Sequence, residues 1–330
     1  MKTIALFNNK GGVGKTTLVY HLSHMFSRIG YPTIAVDLDP QANLTSAFLD
    51  EDQLENLWDN DRDTILSCVE PILQGTGDIQ HPSTIEIANR LWLLAGDLGL
   101  SRFEDKLSES WTKGFSSDPA ALRTTSSFYR IIQQAAEDTG AVLSLLDVGP
   151  NLGAINRAAL LSADYLLVPL AADLFSLQGL KNLGPTIRNW KELWGRTRDL
   201  ASDGISFPLP QGEVQPTGYI VLQHAVRLDR PVKAYRRWLE RIPAVYQESV
   251  LGRALSMRVF LSDEDPNCLA TLRNYRSLMP MAQDARKPMF DLRPADGAIG
   301  SHAQLVQTCH MEFQSLANRI AEKCQLPKAA

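Results

Sequence analysis

Two lysines, Lys10 and Lys15, flank the glycine-rich run Gly11-Gly12-Val13-Gly14, and Thr16 and Thr17 follow directly. Glycines in such a turn let backbone N–H groups face an anion, and a helix beginning near Thr16 adds the positive end of its dipole. The chemistry that fits is phosphate binding. Lys15 would reach the β- and γ-phosphates of a nucleotide, and the Thr16 hydroxyl would hold Mg2+. The preceding Thr3-Ile4-Ala5-Leu6-Phe7 reads as a buried strand, so the loop sits between a strand and a helix. Its spacing departs from the standard Gly, four residues, Gly-Lys-Ser/Thr. Asn9 stands where the first glycine belongs, and Lys10 is an extra cation ahead of the glycine pair.

Carboxylates follow at the ends of two further apolar runs. Thr33-Ile34-Ala35-Val36 runs into Asp37-Leu38-Asp39-Pro40-Gln41-Ala42-Asn43. Acids at alternate positions of an extended chain point the same way, and the proline fixes the exit from the strand. Ala141 to Leu146 ends in Asp147-Val148-Gly149-Pro150-Asn151-Leu152-Gly153. An apolar run closed by an acid is the arrangement that fixes the water shell of a magnesium ion. Each acid alone could cap a surface turn; the three motifs in this order make one metal–phosphate site.

The loop Lys10-Gly11-Gly12-Val13-Gly14-Lys15-Thr16-Thr17 resembles the deviant Walker A motif of the ParA/MinD family of ATPases. The Asp-x-Asp-Pro-Gln segment at 37–41 resembles the family's switch region, and Asp147 its Walker B acid. Gly149 replaces the first proline of the family's usual Asp-x-Pro-Pro, which implies a freer loop. Likeness continues through Asn156-Arg157-Ala158-Ala159-Leu160, Ala163 to Pro169 and Phe175-Ser176-Leu177-Gln178-Gly179-Leu180. It is good over 1–48 and 142–183 and loose elsewhere. The resemblance implies ATP and Mg2+ as ligands, with residues 10–17 on the nucleotide and Thr16, Asp37 and Asp147 around the metal. Asp39 would orient the attacking water. Lys10 would reach across an ATP-bridged homodimer to the partner's phosphates. Gln223, after the run Tyr219-Ile220-Val221-Leu222, stands where relatives carry an adenine-contacting Asn; an amide capping the strand end fits as well.

These motifs need a scaffold. Apolar runs near 3–7, 33–36, 91–94, 142–146, 165–169 and 219–222 alternate with helical stretches, which predicts an α/β, doubly wound, mostly parallel sheet covered on both faces. Gly-x-Gly-x-x-Gly is absent after the first strand, which excludes a dinucleotide-binding variant of that class. One ATPase domain over 1–330 is expected, with a helical insertion at about 50–90 and a loop-containing, basic helical addition at about 191–288. The insertion carries acids from Asp50 to Asp63. The addition has the Pro/Gly-rich connector Gly204–Gly218 and then Arg227, Arg230, Lys233, Arg236, Arg237 and Arg241. Lys233, Arg237 and Arg241 would share one helix face beside Trp238, with Arg273, Arg276, Arg286 and Lys287 as a looser group.

With a net charge of −4 and a pI near 5.9, any DNA affinity must come from a local patch. A solvated face and a phosphate-facing patch both fit these cations; relatives' use of a basic surface points to non-specific DNA, with Arg230, Lys233, Arg237 and Arg241 as candidates. The residues at 302–323 form an apolar helical stripe at Leu305, Val306, Cys309, Phe313, Leu316, Ala317 and Ile320. Its polar side is poor in Lys and Arg, so docking on the sheet fits better than a MinD-like membrane helix. The four cysteines are scattered with no Cys-x-x-Cys pair, which argues against iron–sulfur relatives, and His21 and His24 lack a third metal ligand. No leader or spanning run is visible, so a cytoplasmic, nucleoid-associated protein is expected. The resemblance implies slow ATP hydrolysis, stimulated by a ParB-like or other adaptor, in DNA or cargo positioning. An ATP-switched scaffold or regulator without partitioning is the alternative.

Overall fold

A computed structural model describes residues 1–327 apart from 202–203, 223–231, 255–263 and 276, and the side chains of 61 and 232–235 lie outside the description too. β1 (Lys2–Leu6) leads through the glycine loop into α1 (Lys15–Arg28) and β2 (Thr33–Asp37). After α2 (Asn43–Phe48), α3 (Glu51–Glu55) and α4 (Ile65–Gln74) comes a hairpin of β3 (Ile85–Ala88) and β4 (Leu91–Leu94). The helices α5 (Phe103–Gly114), α6 (Pro119–Thr125) and α7 (Ser127–Thr139) return the chain to β5 (Leu143–Asp147). α8 (Ala154–Leu161), β6 (Tyr165–Ala171), α9 (Leu174–Ala201) and β7 (Gln215–Leu222) continue the alternation. The rest comprises α10 (Val232–Leu239), α11 (Ile242–Val245), β8 (Cys268–Leu272), α12 (Leu278–Ala285) and α13 (Ser301–Lys323).

The eight strands form one sheet in the order β3-β4-β2-β5-β1-β6-β7-β8. All its pairs are parallel except β3–β4. Strand side chains alternate between faces, so the near-continuous apolar runs supply both cores. Ile4, Leu6, Ala35, Leu143 and Leu145 pack under α1 and α13, whereas Ala5, Phe7, Ile34, Val36 and Leu146 pack against α5, α7, α8 and α9. β1 lies between β5 and β6, so the strand order reverses beside it, and the crevice at the carboxyl ends of these strands is where such sheets take ligands.

The six expected strands are present, and the hairpin strand β3 and edge strand β8 are additional. The insertion after residue 50 is helical to Gln74 and then contributes β3 to the sheet edge. The stretch from 191 to 288 is more than a basic helical addition, because β7 and β8 of the central sheet run through it. α13 buries Cys309, Phe313, Leu316, Ala317 and Ile320 and packs on α1 and β8. Its apolar stripe is therefore consumed by the fold. Among the described residues no helix is long and apolar enough to cross a membrane.

Candidate functional site

The glycine loop is built by backbone geometry that other residues resist. Gly12 and Gly14 sit at φ +70° and +79°, in the left-handed region, and a Cβ on Gly14 would stand 2.8 Å from Leu222 Cδ1. Gly14 is the N-cap of α1 and offers no side-chain cap, which leaves the first N–H groups of the helix to a ligand. Asn8, 1% exposed, anchors the loop root. Its amide donates to Pro169 O (2.7 Å), its Oδ1 accepts from Lys10 N (3.0 Å), and its carbonyl accepts from Lys15 Nζ (3.2 Å). The two lysines diverge. Lys15 lines the cleft with its amine also near Lys10 O (3.4 Å), while Lys10 turns outward into an ion pair with Asp173. Burial pulls the Lys15 ammonium below its ordinary value, against Asp147 and Asp39, which draw it up.

The parallel register places Leu6 and Asp37 on either side of Asp147. Asp37 is fully buried and engaged: its Oδ2 accepts from the Thr45 N–H and hydroxyl (both 2.8 Å), and the Thr45 hydroxyl accepts from Gly96 N (2.8 Å). Asp147 is fully buried, and neither carboxylate oxygen has a hydrogen-bond partner. The Thr16 hydroxyl approaches it short of regular hydrogen-bond geometry. Burial, then the neighbouring Asp37, push the Asp147 carboxyl well above the usual carboxylate range. Two orphaned buried oxygens beside a threonine hydroxyl and a phosphate loop are the donor set that a hydrated magnesium ion satisfies. Asp37, with Oδ2 held by Thr45 and Oδ1 accepting from Asp39 N (3.3 Å), stands beside Asp147 at the strand end.

Asp39, 9% exposed, faces the same cleft and accepts from Gln41 N (3.1 Å). Across from it runs the loop after β5, where a side chain on Gly149 would come 3.4 Å from Asp39 Oδ1. This loop is tied down, in contrast to the freedom expected from Gly149. The buried Asn156 amide donates to Gly149 O (2.9 Å), Asn151 O (2.6 Å) and Asn151 Oδ1 (2.9 Å). Glu104, reaching over from α5, accepts from Ala154 N (2.5 Å) and Ile155 N (2.9 Å) and so caps α8. Asn8, Asn156 and Glu104 are positioning residues that the motif reading passes over.

The cleft holds about 740 Å³ and is closed on the far side by Met279, Gln283 and Arg286. An apolar slot of about 380 Å³ adjoins it between Gly14, Thr17 and Leu222 on one side and Asn274, Met279 and Pro280 on the other. Together they have the size of a nucleotide site, with a flat apolar place for a base next to the phosphate cradle. Gln223 follows Leu222 directly and lies outside the described residues.

The family model AAA_31, an AAA domain, matches residues 1–199. The chain belongs to the ParA/MinD family of P-loop ATPases. It carries the two-lysine loop and the acid-tipped strands whose geometry is described above. It is 30% identical to the chromosome-partitioning ATPase Soj of Thermus thermophilus over 198 residues, 57% of this chain and 61% of that protein. The chain therefore spans less than two thirds of that relative's length. Its fold matches a protein of Corynebacterium diphtheriae with a TM-score of 0.68 at 22% identity, covering 98% of both chains. A putative plasmid partition protein of Borrelia burgdorferi B31, solved with AMPPNP, matches with a TM-score of 0.61 at 18% identity over 98% of this chain and 99% of that one. The fold shared with these two structures thus continues through the residues beyond 199, where the family-model match ends.

The expected DNA-facing cations are placed unevenly. Arg230 lies outside the described residues, as does Arg227, and Lys233 is on α10 with its side chain outside the description. The expected continuous stripe is broken: α10 ends at Leu239, and the separate α11 starts at Ile242 with Pro243 in its first turn and Arg241 at its N-cap. Arg237 and Arg241 are both exposed and still flank Trp238, with guanidinium carbons 5.4 and 5.3 Å from its ring centre. Arg236 pairs with Glu240 (3.0 Å), Arg273 with Glu312 (2.9 Å) and Lys287 with Asp296 (2.8 Å), while Arg286 bonds Leu49 O.

Proposed function

We propose that this chain is an ATP-driven switch that dimerises on Mg·ATP, holds DNA or cargo in that state, and lets go on hydrolysis. The observation that carries the reading is the divergence of the two lysines. Lys15 lies in the cleft of its own chain, whereas the Lys10 amine points out of it. A cation beside a phosphate cradle but directed away from it is placed to serve a second cradle.

Within one chain, the loop N–H groups and Lys15 hold the triphosphate, and Thr16 and Asp147 hold the metal's water shell. Bound Mg2+ would neutralise charge on the β- and γ-phosphates as the bond between them breaks. Asp39, supported by Gly149 and the Asn156 clamp, orients water in line with the γ-phosphorus. Lys10 adds its charge from the partner chain. Loss of the γ-phosphate removes the shared ligand of both switch loops and with it the bias toward the dimer. The name of the Thermus relative, a chromosome-partitioning ATPase, supports partitioning as the work done, and a small DNA-binding adaptor fits as the stimulating partner. The exposed Arg237 and Arg241, flanking the half-buried Trp238, support a phosphate-facing surface in a chain that is acidic as a whole. The burial of α13 weighs against a membrane-positioning role. A cytoplasmic, nucleoid-bound protein is the corresponding location.

The test is retention on non-specific duplex DNA at low salt, with and without Mg·ATP. Retention only with nucleotide, lost in Arg237→Glu/Arg241→Glu, supports the partitioning reading. No retention at any low salt, with the nucleotide-dependent dimer intact, leaves the scaffold role instead.

A further inference from the structure

We propose that Asp173 is a latch that keeps Lys10 inside its own chain, released when a second copy covers the exposed Leu174–Phe175 corner. The inference rests on the reading that Lys10 acts across a pair of chains, and deepens it by naming what holds the lysine back.

The latch joins residues 163 positions apart. Lys10 Nζ pairs with Asp173 Oδ2, and the two side chains are only 27% and 19% exposed. Asp173 is a preset acceptor: its N–H donates to Ala171 O (2.9 Å) and its Oδ1 accepts from Ser176 N (2.9 Å) at the start of α9. When Lys10 leaves, the carboxylate keeps the Ser176 bond and the positive end of the α9 dipole, so it is not stranded. Among the described residues, the acid that Lys10 pairs with is Asp173. The lysine moves only when a stronger anion arrives, and a triphosphate on a second chain is one.

The neighbouring residues indicate what brings that anion. Leu174 and Phe175 are 52% and 71% exposed, adjacent large apolar side chains at the rim of the site. Lys10 Nζ lies 6.0 Å from the centre of the Phe175 ring. The Lys10 amine can swing only as far as its four-carbon stem allows, so a chain whose phosphates it reaches is brought close to that ring. Covering two apolar side chains then favours the assembly that breaks the ion pair. Nucleotide bound to a single chain does neither, which makes the latched monomer the resting state.

The experiment is the mass of the full chain by light scattering against AMPPNP concentration in Mg2+, for wild type, Asp173→Asn, Phe175→Ser and Lys10→Ala/Asp173→Asn. Asparagine keeps an acceptor for Ser176 N and removes the charge. Asp173→Asn is expected to tighten dimerisation by about tenfold or more, since each dimer breaks two latches, with nucleotide affinity of the single chain unchanged. Phe175→Ser is expected to weaken dimerisation about tenfold or more and to leave nucleotide binding alone. The Lys10→Ala background is expected to erase the gain from Asp173→Asn. The latch is overturned if wild type dimerises and Asp173→Asn does so at the same concentration, or if the gain survives without Lys10. If no version dimerises at any nucleotide concentration, the dimer reading falls and the latch falls with it.

Discussion

Asn156→Ala tests whether the loop after β5 works because it is clamped. The Asn156 amide has two hydrogens and three acceptors within reach: Gly149 O, Asn151 O and Asn151 Oδ1. Gly149 is buried and Asn151 is exposed, so truncation strands one carbonyl fully and leaves the other to water. A buried carbonyl without a partner costs about 1–3 kcal/mol, and the lost packing of a 1%-exposed side chain adds about 1 kcal/mol more. The expected destabilisation is about 2–4 kcal/mol. At roughly 2.1 cal/mol/K of unfolding entropy per residue, that lowers Tm by about 3–6 °C in a chain of 330 residues. The functional effect is separate. Gly149 lies against Asp39, so a loosened loop lets Asp39 drift from its in-line position, and a misplacement of about 1 Å costs up to about 100-fold in turnover. The assay is steady-state phosphate release with a parallel melt. Turnover should fall about 10- to 100-fold with KM for ATP within a few-fold, since the loop and Lys15 are untouched. Unchanged kcat in a variant that melts lower would refute the positioning role and leave Asn156 a structural residue only.

Lys15→Ala should abolish ATP binding in calorimetry, because the triphosphate loses the cation held against the root of the glycine loop. Asp147→Asn should raise the Mg-free stability by about 1–3 kcal/mol in chemical denaturation, since it removes a buried carboxylate with two unpartnered oxygens, and should erase the stabilisation that Mg·AMPPNP gives wild type. His21, 2% exposed, donates Nδ1 to Thr17 O (2.7 Å) and accepts from Met289 N (3.1 Å) on Nε2, and burial holds its imidazole down to about 4. Its folded value lies below the unfolded one, so this contribution is complete above pH 6.5 and is lost as pH falls toward about 4, at up to about 1.4 kcal/mol per pH unit. A urea series across that window should show the decline, and His21→Leu should make it shallower while leaving the part due to His24, whose imidazole burial holds down to about 3; an equally steep decline in the variant would rule His21 out.

What could be read from the chain followed from locality. The glycine loop, the acid-tipped strands and the apolar alternation each declare themselves within a few residues, so the two-lysine cradle and six strands were expected. β3 and β8 were not. β3 is a four-residue edge strand with Glu86 in it, and β8 is a short outer strand carrying the exposed Thr271, so neither has the continuous apolar run of a central strand. The partners that hold the site in shape were hidden for another reason. Asn8 meets Pro169 and Lys10 meets Asp173 across more than 160 residues, and Glu104 caps a helix that starts 50 positions later. An Asn, an Asp or a Glu has no local signature of such a role. Only the fold supplies the other half of each pair. The helix break between Leu239 and Ile242 was visible in principle, since Pro243 disfavours continuation through that point.

The central claim is that two nucleotide-loaded chains share their cations. Light scattering on Asp39→Ala saturated with Mg·ATP addresses it most directly, because the bound triphosphate then persists. The account predicts a species of twice the 36.6 kDa chain mass, reverting to single chains when Lys10→Ala is added. A mass that stays at that of one chain, with ATP demonstrably bound, would contradict it.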